Sequence, residues 1–429
     1  MKIHLKALGC RLNEAELEKW SQDFTAAGHS ISNDSSDADI VVLNTCSVTQ
    51  GAGKKSRKLL NRMHRENPTA KLIASGCHAT LSPDEFAQSV GVDLIVPNQE
   101  KDQLAQKVLA QFSDGSMPSI ATEPGETSLF RRGRQRAFIK IQDGCRYRCT
   151  FCIVTIARGA ERSRSETDII NEINHLHIQG INEIVLTGVH VGGYGSDTQT
   201  SLYELVNAIL QQTDIPRIRF ASVEPWDLHD DFFSLFENSR VMPHMHLPLQ
   251  SGADSVLRRM SRRCRTDDFA ALVQYARQSV ENFNITSDII VGFPGETETE
   301  WQTTMEYVES IGFGHLHIFS YSPRQGTKAA RLANPISKPI QKQRHQAMYQ
   351  LGENMKKAML NRQINQSSKV LWEKGKQQGT LMHYSGYTPN FLKVETQVAN
   401  HILLENTITT TYLTQLSEQK PSLMGTIKS

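Results

Sequence analysis

The nine residues Gly144-Cys145-Arg146-Tyr147-Arg148-Cys149-Thr150-Phe151-Cys152 decide the fold of this 429-residue chain. Their three cysteines have the spacing C-x3-C-x2-C and come shortly after the strand-like run 137–141. Three neighbouring thiolates can bind three irons of a cubane iron–sulfur cluster and leave the fourth iron free for another ligand. Structural zinc commonly takes four ligands in two separated pairs, and no second C-x2-C or H-x3–5-H pair follows here. The stretch therefore predicts a cluster-binding loop at the end of a strand.

Around and beyond this loop, strand-like runs alternate with helical segments. The segment 266–280 shows the helical period, with these apolar residues on one face: Phe269, Leu272, Val273 and Ala276. Because repeated β/α units with parallel strands close into barrels, six such units predict an incomplete barrel, a partial (β/α)6 barrel. The six predicted strands are 137–141, 183–186, 218–222, 244–247, 285–291 and 315–320.

Upstream of the loop, short apolar runs again alternate with helical stretches, which predicts an open parallel sheet of the α/β class. The predicted strands are 3–8, 40–43, 72–74 and 94–96. Cys10, Cys46 and Cys77 each follow one of the first three strands. A single such cysteine is more often an inert buried residue, but the carboxyl ends of parallel strands form a ligand crevice. Three cysteines at equivalent strand ends therefore favour ligation.

Two further segments complete the domain organisation. Residues 113–136 are polar and contain Pro118 and Pro124, which discourage regular structure. From Lys369 onward the chain is rich in Thr and Val, and runs such as 391–394 and 407–412 predict a small all-β domain. We predict an N-terminal domain at 1–112, a linker at 113–130, a barrel at 131–365 and a β domain at 366–429.

Composition narrows the class of protein. The net charge is +2, so overall charge does not indicate a nucleic-acid partner. Between residues 131 and 164, however, the sequence has ten basic residues and only two acidic ones, and this local positive charge suits phosphate contacts. The N-terminus has Lys2 and Lys6 inside its apolar run, and no run of 18 uncharged apolar residues occurs. We expect a cytoplasmic protein without a membrane anchor.

The seven cysteines do not form an even disulfide framework, which argues against a small secreted scaffold. Six of them belong to the two sets of three. The seventh, Cys264, has no neighbouring cysteine and is expected to be a packing or solvent-facing thiol rather than a cluster ligand.

The triplet after the first barrel strand resembles the signature of the radical S-adenosylmethionine (SAM) superfamily. The upstream cysteines lie in stretches that resemble the motifs of the methylthiotransferase family: Leu8-Gly9-Cys10-Arg11-Leu12-Asn13, Asn44-Thr45-Cys46-Ser47-Val48-Thr49 and Ser75-Gly76-Cys77. The resemblance covers nearly the whole chain and includes the threonylcarbamoyladenosine tRNA methylthiotransferase branch. Supporting residues for this branch include Lys54-Lys55-Ser56-Arg57, Ala157-Arg158-Gly159, Arg162-Ser163-Arg164, 186–190, 287–297 and Gly386-Tyr387-Thr388.

This resemblance implies two 4Fe–4S clusters and SAM as cofactors, and a C-terminal TRAM domain. It implies that Cys145, Cys149 and Cys152 bind the cluster that cleaves SAM. It also implies that Cys10, Cys46 and Cys77 bind an auxiliary cluster. Expected SAM contacts, all at barrel strand ends, are Thr187, Gly188, Glu224 and Gln250. Glu224 could instead be a salt-bridged surface acid, and no catalytic side chain is assigned.

The activity implied is addition of a methylthio group to C2 of N6-threonylcarbamoyladenosine at position 37, in the anticodon loop of tRNA. A reducing partner such as flavodoxin or ferredoxin would supply electrons. Three alternatives stay open: methylthiolation of isopentenyladenosine in tRNA, methylthiolation of a ribosomal protein, and a non-catalytic metal-containing RNA-binding role. Two departures from the family pattern are Val154-Thr155, where an aliphatic-proline pair is common, and the mildly basic C-terminal domain.

Overall fold

The strands in the described part of this protein form three groups. The computed structural model describes residues 1–47, 50–87, 91–112, 135–228, 230–418 and 421–427. The predicted linker 113–130 lies outside the described residues. So do Val48 and Thr49 of the second cysteine motif and three of the ten basic residues, Arg131, Arg132 and Arg134.

The first group is a five-stranded sheet in which every neighbouring pair is parallel, in the order β2-β1-β3-β4-β5. Its strands are β1 Lys2–Ala7, β2 Ser30–Ser32, β3 Ile40–Thr45, β4 Lys71–Gly76 and β5 Val92–Val96. Its helices are α1 Arg11–Ala26, α2 Gln50–Glu66, α3 Cys77–Leu81, α4 Pro83–Ala87 and α5 Leu104–Phe112. Separate hydrophobic clusters, one around Trp20 and one around Leu43, pack against the sheet. The predicted open parallel sheet is confirmed, with the short strand β2 in addition.

The second group forms an incomplete barrel. Six parallel strands lie in two sheets, β6-β9-β10 and β11-β12-β13, and isolated parallel bridges at Ile218–Val241 and Ser222–His246 join them. The strands are β6 Arg136–Lys140, β9 Glu183–Thr187, β10 Arg217–Phe220, β11 His244–His246, β12 Asn284–Val291 and β13 His315–Ser320, with a small pair β7 Gln142–Asp143 and β8 Arg162–Ser163. The predicted barrel is confirmed.

Helices cover the outside of this barrel. They are α6 Val154–Arg158, α7 Glu166–Ile178, α8 Leu202–Gln212, α9 Asp254–Arg259, α10 Thr266–Ser279, α11 Glu298–Ile311 and α12 Lys338–Asn361. Phe269, Val273 and Ala276 on α10 are buried, as the helical period predicts. Helix α11 begins at a capping box between Thr297 and Glu300, which satisfies amide groups that have no partner inside the helix. Short 3-10 turns occur at Ser35–Asp37, Lys101–Gln103, Val191–Gly193, Pro225–Asp227, Asp230–Glu237 and Ala329–Arg331.

The third group is a six-stranded β sheet that closes on itself through a pairing of β14 with β16. Its strands are β14 Ser367–Trp372, β15 Lys376–Gln378, β16 Leu381–Tyr387, β17 Lys393–Ala399, β18 Ile408–Leu416 and β19 Leu423–Ile427. The predicted small all-β region is confirmed. Of the predicted strand-like run 391–394, however, only residues 393 and 394 belong to a strand. Phe391 has a φ of 64° and stacks on Tyr387, so strand β17 begins two residues later. The domain boundaries stay predictions.

Buried arginines, paired with one buried glutamate, hold this β sheet against the barrel through hydrogen bonds to its backbone. Glu183, which is fully buried, lies among Arg136, Arg217 and Arg219, and their charges outweigh the effect of burial and lower the pKa of Glu183 to about 2. Arg219 donates hydrogen bonds to the carbonyls of Pro389 (2.7 Å) and Thr388 (2.9 Å). Arg217 donates in the same way to Lys369 (2.7 Å) and Tyr387 (3.1 Å).

We expect Glu183→Gln to destabilise the protein by about 3–5 kcal/mol, because removing one partner leaves buried charges uncompensated. The apparent Tm should fall by about 6 °C or more in differential scanning calorimetry. Glu373→Gln is the matched control, since Glu373 pairs with the same Arg136 but is one-third exposed, and it should cost less than about 1 kcal/mol. Equal losses in the two variants would contradict the role assigned to Glu183.

Candidate active site

The cysteine triplet lies on a loop that follows β7 and leads into α6. Cys152 N–H donates to the carbonyl of Cys149 (3.0 Å), and the Sγ of Cys152 accepts from Val154 N–H (3.4 Å). At Gly144 φ is 76°, and a Cβ would lie 1.8 Å from the carbonyl oxygen of Ala160, so the loop entry requires glycine. All three thiols are partly buried and free of disulfides. Three unpaired thiols on one short loop fit a cluster bound by three protein ligands.

Burial raises the pKa of Cys145 to about 12 and that of Cys152 to about 11, and the nearby Glu224 carboxylate acts in the same direction. Burial also raises the pKa of Glu224 itself. Its buried Oε2 has no hydrogen-bond partner among the described residues. A carboxylate oxygen of this kind suits an ammonium or hydroxyl donor such as those of SAM. This favours the first of the two interpretations of Glu224.

A network of acids and one histidine borders the triplet. His190 Nε2 lies 2.5 Å from Asp227 Oδ2, and His190 Nδ1 contacts Glu161. Burial alone would lower the pKa of His190, but the hydrogen bond to Asp227 and the charge of Glu224 outweigh it and raise that pKa. Tyr147, inside the cysteine loop, donates its hydroxyl to Asp227 (2.8 Å). These contacts hold the loop against the strand ends of the barrel.

The second cysteine set lies at neighbouring strand ends of the N-terminal sheet. Cys10 precedes α1 and follows β1, Cys46 follows β3, and Cys77 begins α3 directly after β4. A Cβ on Gly9 would lie 2.5 Å from the Sγ of Cys46, so glycine lets the Cys10 loop approach that thiol. Burial raises the pKa of Cys10 to about 11, with a smaller contribution from Cys77. The chemistry of this donor set fits an iron–sulfur cluster, whose iron displaces thiol protons.

One arginine connects the two cysteine sets. Arg158 ends α6, the helix that follows the triplet, and its Nε lies 3.3 Å from the Sγ of Cys77. Its other nitrogens donate to Glu16 (2.8 Å), Asp143 (3.0 Å) and Asn13 (2.9 Å). Hydrogen bonds to a ligand sulfur tune and stabilise iron–sulfur clusters. Arg158 is therefore suited to support a cluster at Cys77 from the barrel side.

A cavity of about 940 Å³ runs through the barrel interior beside the second cysteine set. Its lining includes Cys10, Cys77, Thr187, Gly188, Tyr387 and Phe391. Of the four expected SAM contacts, Thr187 and Gly188 line this cavity, whereas Glu224 lies beside the triplet. Gln250 is buried with φ at 78° and pairs with β12. The structure therefore divides the expected SAM contacts between two parts of the barrel.

Sequence reasoning missed the polar wall of this cavity. Alternate residues of β11, β12 and β13 line it, and they are His244, His246, Asn284, Thr286, Asp288, His315 and His317. The signal was present as His-Met-His and His-Leu-His runs, because a period of two sends alternate side chains to one face.

Cys264 is buried in the barrel core and takes part in neither cysteine set. Among the described helices, none has the length and apolar character needed to cross a lipid bilayer.

Comparisons with known proteins agree with this geometry. Residues 139–308 match the Radical SAM superfamily, and residues 2–97 match an uncharacterized protein family, UPF0004. The solved structure of the radical SAM methyltransferase TsrM from Kitasatospora setae superposes with a TM-score of 0.58 over 77% of both chains, at 13% identity. At that identity the likeness shows the fold alone, and this fold is that of a radical SAM protein.

Sequence similarity to known proteins identifies the family of this chain. The threonylcarbamoyladenosine tRNA methylthiotransferase of Thermotoga maritima is 34% identical, covering 92% of this chain and 91% of its own length. That of Bacillus subtilis is 34% identical, covering 91% and 89%. The tRNA-2-methylthio-N6-dimethylallyladenosine synthase of Roseobacter denitrificans is 33% identical, covering 90% and 91%. The chain belongs to the methylthiotransferase family of radical SAM enzymes. Its cofactors accordingly include SAM and a 4Fe–4S cluster.

The Arg158 network predicts a specific pH dependence. Burial alone would raise the pKa of Glu16, but Arg158 and Lys101 outweigh it and lower that pKa to about 2 from an ordinary 4.5. A carboxylate with a depressed pKa stabilises the fold above its unfolded pKa, and this contribution is lost as pH falls towards its folded pKa. Glu16→Gln should therefore lower the apparent Tm of the iron-free protein at pH 7 by about 6 °C or more, and by less with each step below pH 4.5.

Calorimetry of both proteins between pH 7 and pH 3 measures this difference. Asp23→Asn on the same helix is the control, because Asp23 pairs only with the exposed Lys19 among the described residues and should cost less than about 1 kcal/mol. A Glu16→Gln difference that stays constant across the pH range would rule out a buried, ionised Glu16.

Proposed function

We propose that this chain is a tRNA-modifying enzyme that adds a methylthio group to C2 of N6-threonylcarbamoyladenosine at position 37. The observation that carries the proposal is that a C-x3-C-x2-C loop on the barrel occurs together with three further cysteines at the strand ends of the N-terminal sheet, with Arg158 reaching from the barrel to Cys77. Relatives named threonylcarbamoyladenosine tRNA methylthiotransferases, 34% identical over about nine-tenths of the chain, support the substrate.

In this proposal Cys145, Cys149 and Cys152 bind the cluster that chelates SAM, and Cys10, Cys46 and Cys77 bind a second 4Fe–4S cluster. When bound, SAM and the clusters supply the radical that opens the C2–H bond and the methylsulfur that replaces the hydrogen. A reductant of the flavodoxin or ferredoxin class supplies electrons from outside the chain.

The protein's own residues bind, orient and exclude water. Glu224 accepts hydrogen bonds from SAM through its unpartnered Oε2, and Thr187, Gly188 and Gln250 shape the strand ends around it. Arg158 holds the Cys77 side of the site at a fixed position relative to the triplet. The barrel cavity accommodates the modified base next to Cys10 and Cys77. Arg146, Arg148 and Arg162, the exposed basic residues between 136 and 164, contact tRNA phosphates, whose negative charge they complement. Arg136, Lys140 and Arg158 are instead held in ion pairs inside the protein.

Mass spectrometry of tRNA nucleosides tests the substrate. Cells that lack this gene should lose 2-methylthio-N6-threonylcarbamoyladenosine, and the unmethylthiolated nucleoside should accumulate. Restoring the gene should restore the product. Loss of the methylthio form of isopentenyladenosine instead would move the substrate to the other tRNA branch, and an unchanged nucleoside profile would point to ribosomal protein or to a non-catalytic role.

Cysteine variants test the two cluster sites separately. Reconstituted wild-type protein should hold about eight irons, and alanine at all three cysteines of either set should leave about four. The variant lacking Cys145, Cys149 and Cys152 should release no 5′-deoxyadenosine from SAM under reducing, anaerobic conditions. The variant lacking Cys10, Cys46 and Cys77 should still cleave SAM but form no methylthiolated product.

Cys264→Ala is the matched control, because Cys264 is the seventh cysteine and lies in the barrel core. It should keep about eight irons and full SAM cleavage. Loss of SAM cleavage in the Cys10, Cys46 and Cys77 variant alone would reverse the assignment of the two sets.

A further inference from the structure

The lining of the barrel cavity carries an excess of positive charge, and the chemistry assigned above uses only part of it. Among the described residues that line the cavity, Asp288 is the only acid, and it pairs with His246 (3.1 Å). The cavity lining also has four cations: Arg11, Arg158, Lys356 and Lys393. The cavity lining is therefore suited to bind a negatively charged ligand.

Two of these cations have no carboxylate partner among the described residues. Arg158 pairs with Glu16 and Asp143, and Lys393 pairs with Glu395 (3.2 Å). Arg11 and Lys356, by contrast, form no ion pair and no side-chain hydrogen bond with any residue in the described ranges. Arg11 is exposed and Lys356 is half-buried, and both line the cavity, so their charges are accessible to a ligand there.

Arg11 lies beside two aromatic rings, which attract a cation without neutralising its charge. Its guanidinium is 5.9 Å from the ring centres of both Phe138 and Phe391. Neither ring carries a negative charge, so a bound anion would give Arg11 an ion pair that the described residues do not provide.

The histidines beside these cations are suited to donate hydrogen bonds without adding charge. Burial lowers the pKa of His315 to about 4, with contributions from His317 and Lys356. Burial and the charges around it, Arg11 and Lys356 among them, also lower the pKa of His317. His317 lies opposite Asp288 in the β12–β13 register. A neutral imidazole offers one N–H donor, which suits a carboxylate or a hydroxyl group.

We propose that Arg11 and Lys356, assisted by His317, bind the carboxylate of the N6 side chain of the substrate adenosine. This inference rests on the proposed function, because the threonylcarbamoyl group is the part of that nucleoside that carries a carboxylate. An isopentenyl side chain has no charge and would leave both cations unpaired. Arg11 and Lys356 are thus specificity residues that select the acidic side chain.

A carboxylate fits this position better than a tRNA phosphate. The two cations line the same cavity as Cys10 and Cys77, where the base and the group attached to its N6 are expected. Arg11 also directly follows Cys10 in sequence, so a side chain held by Arg11 would keep the base beside that thiol.

The test uses two anticodon stem-loop RNAs that differ in one group. One carries N6-threonylcarbamoyladenosine, and the other carries the same nucleoside with its carboxylate converted to a carboxamide. Reconstituted wild-type protein should show a kcat/KM about 10- to 100-fold higher for the acid, because hydrogen bonds to charged groups are worth this much. This comparison requires no variant and is unaffected by misfolding.

Lys356→Met and Arg11→Gln should each lower kcat/KM for the acid by about 10-fold or more and change that for the carboxamide by less than about 3-fold. Lys357→Met, one residue along α12 and exposed, should leave both values at the wild-type level. Iron content, measured in each variant, shows that the protein is intact.

Each other outcome contradicts the inference. Equal use of the two RNAs by the wild type would overturn it and leave the proposed function standing. Equal losses on both RNAs in the variants would assign the two cations to phosphates. Modification of neither RNA by reconstituted protein that cleaves SAM would overturn the proposed function, and this inference with it.

Discussion

The buried guanidinium of Arg158 is the interaction on which the geometry of the site depends. It contacts Asn13 and Glu16 on α1, Cys77 on α3 and Asp143 on β7, which are three separate segments of the chain. Removing such charges from water is unfavourable unless every one is paired. The network therefore tolerates only one arrangement of the N-terminal sheet on the barrel, and that arrangement fixes the two cysteine sets relative to each other.

Further contacts across the same interface act in the same direction. Lys101 is fully buried and contacts Glu16 and Asp143, and its carbonyl accepts the indole N–H of Trp20 (2.9 Å). Asn98 donates to the carbonyl of Ala157 (2.8 Å), one residue before Arg158. Because these bonds are short and shielded from water, the interface behaves as a core rather than as a hinge. This kind of fixed spacing suits the proposal that the two cysteine sets each bind a cluster and act on one base.

The sequence predicted the features that local pattern encodes, namely the parallel sheet, the partial barrel, the small all-β region and the two cysteine sets. It could not predict the Arg158 network, because Arg158 and Glu16 are 142 positions apart and only the tertiary fold pairs them. The turn at Phe391, closed by a hydrogen bond from Phe391 N–H to the carbonyl of Thr388, was missed because phenylalanine does not signal a positive φ. The polar wall was encoded by alternating histidines, but hydrophobic patterning alone gives such residues no role.

This polar wall makes the barrel interior a binding cavity rather than a packed apolar core. Barrel interiors are usually filled by branched aliphatic side chains, which pack without polar cost. Here His244, His317 and Asp288 take inward positions, and Arg11 and Lys356 line the same cavity without a carboxylate partner among the described residues. Such an interior gives up aliphatic packing and offers hydrogen bonds and positive charge to what enters the cavity. In the proposed binding mode, a base with an acidic side chain makes these contacts, and its binding energy holds the base beside the cysteines.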